Sequence, residues 1–182
     1  LLKNYINLDI KKAILQSNSK IFVEKFLEHE KLRPSDLIEI HNRPNYVKFL
    51  SQNTSSKLIL YFHNDPLTMN GSRSLSERRD LLKKTHKLVF NSKWSRDRFL
   101  QSFNKFEIPE DKLNVIYQSS KKVKINFNKK RKIISFVGKL NSAKGYDLFG
   151  SAILKILDKY KDWKAIVIGD EPREKLTFLH KN

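Results

Sequence analysis

Two lysines and two glycines crowd the stretch "IISFVGKLNSAKGYDLF", residues 133–149. An apolar run ends at Gly138, Lys139 follows at once, and Lys144 stands beside Gly145, after which the spacing turns helical. In open parallel sheets, ligands sit outside the carboxyl ends of strands, where loops enter helices. A glycine there lets a ligand approach the backbone, and a helix beginning near Gly145 aims free N–H groups at the same space. Two ammonium groups in that position suit an anion, above all a phosphate or diphosphate. The known phosphate loops are absent: Gly145 is followed by Tyr146 rather than Lys-Ser or Lys-Thr, and no G-x-G-x-x-G occurs. Taken alone, the lysines read first as ordinary exposed loop charges and second as ligands.

Two histidines also close apolar runs. "DLIEIHN" stops at His41 and "KLILYFHNDP" at His63. A histidine at a strand-to-loop junction reads first as one satisfied inside the turn, and His41, Asn42 and Arg43 admit a structural role at the strand end equally with a cleft-lining one. His86 and His180 are given no role.

The elements that must position these residues follow from periodicity. "SKIFVEKFLEHEK" carries apolar residues at Phe22, Val23, Phe26 and Leu27 and predicts an amphipathic helix ended by Arg33-Pro34. "RPNYVKFLSQN" predicts a short helix with Pro44 in its first turn. "LSERRDLLKKTHK" reads as a helix, "LVFNS" as a strand, "KWSRDRFLQSF" as a helix capped by Ser92, and "KLNVIY" as a fourth strand. Strands alternating with helices, with continuous apolar character, predict a parallel sheet covered on both faces. After "KKVKINFNKKRK", residues 121–132, the alternation restarts: "KIISFVG" is a strand, "YDLFGSAILKILDKY" a helix with apolar Leu148, Ile153, Ile156 and Leu157, and "WKAIVIGD" another strand. The expected organisation is an α/β domain over 1–120, a basic linker over 121–131 and a second, truncated α/β domain over 132–182. A further helix is expected to begin beyond Pro172.

Composition narrows the class. The chain of 182 residues has 39% hydrophobic and 11% aromatic residues, enough for a core. It has no cysteine, which excludes disulfides and thiolate metal sites. Its apolar runs, such as "LILYF" and "AIVIG", are far short of a membrane span. The formal charge of +18 permits nucleic acid, an anionic membrane or acidic substrates as partners. Of the 37 basic residues, 28 are lysine and 9 arginine, spread along the chain, which reads as a lysine-rich habit. The acid-free 121–132 run reads first as a solvated connector and second as a membrane-surface patch.

The pieces also resemble a family in order. "FVGKLNSAKGYDLFGSAI" is similar to the start of the C-terminal domain of retaining GT-B glycosyltransferases of the group 1, or family 4, type. "DLIEIHNRP" and "LILYFHND" resemble that family's first strands, "LVFNSKWSRDRF" its serine-capped helix, "KLNVIYQS" the strand before its linker, and "AIVIGDEP" its Gly-x-Gly-Pro turn. The likeness covers most of residues 36–172. The wording of residues 39–44 further resembles members working on bacterial cell-surface polysaccharides.

The resemblance implies two Rossmann-like parallel-sheet domains on the GT-B plan, both incomplete here. It implies transfer of a hexosyl-type sugar from a nucleoside-diphosphate sugar to a saccharide or lipid-linked acceptor, in polysaccharide or lipopolysaccharide synthesis. Lys139 and Lys144 would hold the donor diphosphate, with Gly138 leaving room for the donor. His63 would be the catalytic residue facing acceptor and transferred sugar, and His41, Asn42, Arg43 and Asn64 would line the same cleft. No metal or other cofactor is expected, nor a nucleic-acid partner. The location implied is cytoplasmic, or peripheral on the inner face of an anionic membrane.

There are departures. Lys139 stands where the family often has arginine, keeping the charge but losing the planar fork. Gln118-Ser119 replaces Asn-Gly, and Glu171 occupies a common glycine position. The glutamate pair of the donor site and the opening glycine-rich loop are missing, so the chain is expected to be a middle fragment, inactive alone. Two alternatives stand beside this reading: a basic nucleic-acid-binding α/β protein, and a GT-B-like sugar-phosphate epimerase.

Overall fold

Serine and proline start the helices of the first half. The structure is a computed structural model that describes residues 17–172. The expected helix beyond Pro172 and His180 both lie outside those residues. Ser17 accepts from the Lys20 N–H at the head of α1 (Asn18–Leu32). β1 (Leu37–His41) leads into α2 (Pro44–Asn53), where proline occupies the first turn and its missing N–H costs nothing. β2 (Lys57–Phe62) is followed by α3 (Leu75–Lys84), opened by a reciprocal capping box of Ser74 and Glu77. β3 (Lys87–Phe90) leads to α4 (Lys93–Leu100), where Ser92 accepts from the Ser95 N–H. β4 (Leu113–Val115) closes the set.

These four strands form one parallel sheet in the order β1-β2-β3-β4. Ile38 lies beside Leu58, Leu60 beside Leu88, and Phe62 beside Phe90, so alternate residues line up on one face. That face joins Val23 and Leu27 of α1, Val47 and Leu50 of α2, Leu81 and Leu82 of α3 and Phe99 of α4 in a single core. The rings of Phe62, Phe90 and Phe99 sit at its centre, with centroids 5.4 to 5.5 Å apart.

The expectation of helices on both faces needs correction. Among the described residues, buried side chains of all four helices meet the same face of the sheet. Right-handed crossovers in an unbroken strand order put α2, α3 and α4 on the same side, and α1 joins them through Val23 and Leu27 in the shared core. The opposite face carries Glu39, His41 and Tyr61. β3 is buried at consecutive positions, as expected, whereas β1 alternates buried and exposed.

The chain divides into two compact units, 1–120 and 121–182. In the second, β5 (Ile133–Val137) pairs in parallel with β6 (Lys164–Ile168), and α5 (Tyr146–Lys159) connects them. The rings of Tyr146 and Phe149 close on Phe136 at 5.1 and 5.2 Å. Residues 121–132 are irregular apart from one tight turn at Phe127–Lys129.

Two apolar helix positions lie outward. Phe22 borders an open cavity of about 250 Å³ that Val23, Phe26, Ile38 and Tyr46 also line. Neighbouring residues 22 and 23 sit about 100° apart on a helix, and Val23 takes the core. Leu148 is exposed because it lies about 140° round the helix from the buried Ile153.

Candidate functional site

Parallel neighbours end at the same edge, and this geometry brings the two strand-end histidines together. His41 is the last residue of β1 and His63 follows β2 directly. His41 Nδ1 lies 3.0 Å from His63 Nε2, with ring planes 11° apart. His41 pairs in register with Tyr61, and their rings stack at 4.6 Å. Residues two apart on a strand share a face, so Glu39 and His41 meet Tyr61 and His63 on the side away from the helices. Tyr61 donates to Glu39 Oε1 at 3.1 Å, and Glu39 Oε2 lies 3.5 Å from His41 Nε2. Burial and the neighbouring Glu39 push the Tyr61 hydroxyl above its usual range, so it stays a proton donor.

The loops finish the frame around His63. Asn42 turns the chain off β1 at φ 57, a left-handed conformation that asparagine tolerates. Its Oδ1 accepts from the His63 N–H at 3.2 Å, and Asn91 donates to the His63 carbonyl at 2.9 Å. Gln118 Nε2, beyond β4, lies 2.8 Å from His63 Nδ1. Arg43 donates to the Asn42 carbonyl at 2.9 Å. Asn64 joins Asn42, Arg43, Asn45, Thr68 and Asn70 around a polar cavity of about 380 Å³. Thus His41, Asn42, Arg43 and His63 form one cluster, and Asn64 faces its neighbouring hollow. Asp65 is committed to the scaffold: it accepts from the Leu67 N–H and pairs with Arg98 of α4 at 3.0 Å. Hydrogen bonds from Arg98 hold its carboxyl below the usual carboxylate range.

The second cluster occupies the turn between β5 and α5. Gly138 donates to the Ile168 carbonyl at 3.0 Å, extending the strand pairing by one bond. A Cβ on Gly169 would stand 1.8 Å from the Gly138 carbonyl oxygen, so the crossing of these backbones requires glycine at 169. Asn141 organises the turn. Its Oδ1 accepts from the Lys144 N–H at 3.2 Å, and its carbonyl accepts from the N–H groups of Lys144 and Tyr146. Its Nδ2 donates to Glu171 Oε2 at 3.0 Å. Glu171 is buried and anchors the turn. Gly145 caps α5 in the left-handed region without a side-chain hydrogen bond, so the helix start carries open N–H groups. Lys139 and Lys144 are exposed, and among the described residues neither ammonium has a hydrogen bond or ion pair. Chemically, the turn offers two cations and a helix start to an anion.

Glu39, Tyr61, Gln118 and Asn141 were missed by sequence reasoning. Glu39-x-His41 and Tyr61-x-His63 share a parity that would have flagged the first two once the strands were paired. Gln118 carries no such signal.

Comparison with known proteins addresses the second cluster. Residues 118–181 match the family model of glycosyl transferases group 1. The group 1 match therefore takes in β5, the lysine turn, α5 and β6, and it begins at the residue that touches His63. A search of curated proteins finds no match. Among solved structures, the chain is similar to one described as accessory secretory protein 1, 2 and 3 in Streptococcus pneumoniae, at 10% identity and a TM-score of 0.49. That alignment covers 84% of this chain and 36% of the other, so this chain spans about a third of its length.

Proposed function

We propose that the chain belongs to a glycosyl transferase that moves a sugar, with retention, from a nucleoside-diphosphate sugar to a saccharide or lipid-linked acceptor. The observation that carries this reading is the group 1 match over a unit whose strand-to-helix turn bears two exposed ammonium groups. Lys139 and Lys144 would neutralise the charge that grows on the departing diphosphate, and preorganised cations do this work without a metal. The α5 N-terminus adds its dipole to the same anion. Gly138 leaves the backbone open beside the donor. In the first unit, His63 would face the acceptor, with His41, Asn42, Arg43 and Asn64 around it.

The test is nucleotide binding. UDP, GDP and ADP are screened by thermal shift, and one of them should raise the melting temperature. Lys139→Ala with Lys144→Ala should lower its affinity by about tenfold or more, the loss of one or two charge-assisted hydrogen bonds. Equal stabilisation of both proteins by every diphosphate would sink the assignment.

A cytoplasmic place against an anionic membrane belongs to the same proposal. Val123, Ile125 and Phe127 are exposed and alternate with basic or amide residues in a stretch without acid. Such a ribbon suits an anionic lipid surface, to which each lysine contributes about 1 kcal/mol. Vesicles containing phosphatidylserine should bind the protein and lose it when Lys121, Lys122 and Lys124 become glutamine. Retention by nucleic acid rather than vesicles, with a steep salt dependence, would favour the polyanion reading instead.

A further inference from the structure

The hydrogen bonds around His63 fix more than its position. The Gln118 amide nitrogen, 2.8 Å from His63 Nδ1, has only protons to offer. His63 Nδ1 must then be an acceptor, and the neutral ring carries its proton on Nε2. That proton is donated to His41 Nδ1, 3.0 Å away. His41 in turn carries its proton on Nε2, toward the carboxylate of Glu39 at 3.5 Å. Tyr61 donates to the other oxygen of Glu39 at 3.1 Å and holds the carboxylate beside His41. The two ring bonds run the same way, and Glu39 stands at ion-pair distance, 3.5 Å, from the proton-bearing Nε2 of His41.

We infer that His63, His41 and Glu39 form a directed proton relay whose receiving atom, His63 Nδ1, is covered by Gln118. When an incoming hydroxyl-bearing group displaces the Gln118 amide, its O–H proton can bind Nδ1. The Nε2 proton of His63 then moves to His41 Nδ1, and the Nε2 proton of His41 passes to Glu39 once that carboxylate closes the 3.5 Å gap to hydrogen-bond distance. One proton enters at Nδ1 and one arrives on Glu39, which is exposed and can release it to water. His41, Glu39 and Gln118 are positioning residues, since they act through His63. The groups facing the relay are Glu39 from β1, Tyr61 from β2, Arg43 at the start of α2 and Gln118 beyond β4.

This inference rests on the proposal that His63 serves an acceptor hydroxyl, but its test does not require transfer activity. Long-range ¹⁵N–¹H spectra of the histidine rings, recorded where both are neutral, report which nitrogen carries each proton. Both His41 and His63 should be protonated on Nε2. Gln118→Glu replaces a donor with an acceptor, so His63 should switch to Nδ1–H. His41, which does not touch residue 118, should switch with it. Glu39→Ala should release the Nε2 preference of His41, and Glu39→Gln, whose amide oxygen still accepts, should restore it.

A wild-type His63 protonated on Nδ1, or a His41 indifferent to Gln118→Glu, would overturn the relay. Should Gln118→Glu fail to fold, the wild-type spectrum and the Glu39 pair decide alone. Coupled tautomers in a protein that binds no nucleotide would overturn the transferase reading and leave the relay standing. Uncoupled tautomers in a protein that binds one nucleotide selectively would do the reverse.

Discussion

The two units treat their candidate site groups in opposite ways. In the first, His63 is bonded through both ring nitrogens, Asp65 is held by Arg98, and Glu30 accepts from Ser35, Thr54 and Ser56. In the second, Lys139 and Lys144 stand in solvent with no bond among the described residues. The packing beneath them differs in the same sense. The first unit rests on a four-stranded sheet with Leu60, Leu88 and Phe90 fully buried, whereas Val137 and Ile168 of the two-stranded sheet are 72% and 59% exposed. A ligand at the first cluster must therefore displace bonds already made, while one at the second displaces only water. On the proposed reading, the first would discriminate by exchange of partners and the second would attract by charge.

The largest effect should come from attacking the better-buried core of the first unit. Phe90 is fully buried against Phe62 and Phe99. Phe90→Ala should destabilise the first unit by about 3–5 kcal/mol, through lost burial and the cavity left behind. Ile153→Ala in α5 should cost the second unit about 2 kcal/mol, because its more open surroundings can collapse. With one tryptophan in each unit, Trp94 and Trp163, fluorescence in single-tryptophan backgrounds reads the two denaturant transitions separately. Equal losses would erase the contrast in packing.

Glu30 sharpens the comparison at the level of polar groups. It is buried at the end of α1, where burial alone would raise its carboxyl. Hydrogen bonds from Ser56, Ser35 and Thr54 outweigh burial and hold it below the usual glutamate range. A carboxyl depressed in the folded state stabilises the fold above its unfolded value, about 4.3, and loses that contribution as pH falls through the folded value. Glu30→Gln should thus cost about 1–3 kcal/mol at neutral pH and flatten the acid limb of the first unit's stability. Urea midpoints measured from about pH 7 down to about pH 3 provide the check. An unchanged acid limb would place the acid sensitivity elsewhere, with Asp65 and Glu77 the next depressed carboxyls to remove.

Local pattern carried much of the fold. Apolar runs stopped by His41 and His63 marked two strand ends, Ser92 marked a helix start, and Gly138 marked the turn with its two lysines. What pattern could not carry was pairing between elements. Glu39 and Tyr61 meet only because β1 and β2 are parallel and in register, and Gln118 reaches His63 across 55 residues of chain. Helix phase was also legible but easily misjudged: Leu148 is apolar and near the start of α5, yet it lies off the stripe that Ile153, Ile156 and Leu157 share. Glu171 stands at a common glycine position in sequence, and its burial and its bond to Asn141 make it a support for the turn between β5 and α5.

The smallest effect tests whether the second cluster depends on its backbone or only on its charges. Gly145 sits at φ 73 and ψ 23, and nothing lies within 4 Å of where a Cβ would be. Alanine there meets no clash, so its cost is the left-handed conformation alone, about 1–2 kcal/mol. Asparagine, which tolerates that region, should cost less. Because Asn141 and Glu171 hold the turn independently of residue 145, both variants should keep nucleotide affinity within about twofold, a difference of about 0.4 kcal/mol. If Gly145→Ala instead weakened binding as far as removal of both lysines does, the helix start itself would be gripping the anion. The second unit would then resemble the first, its function lying in prearranged bonds rather than in free charge.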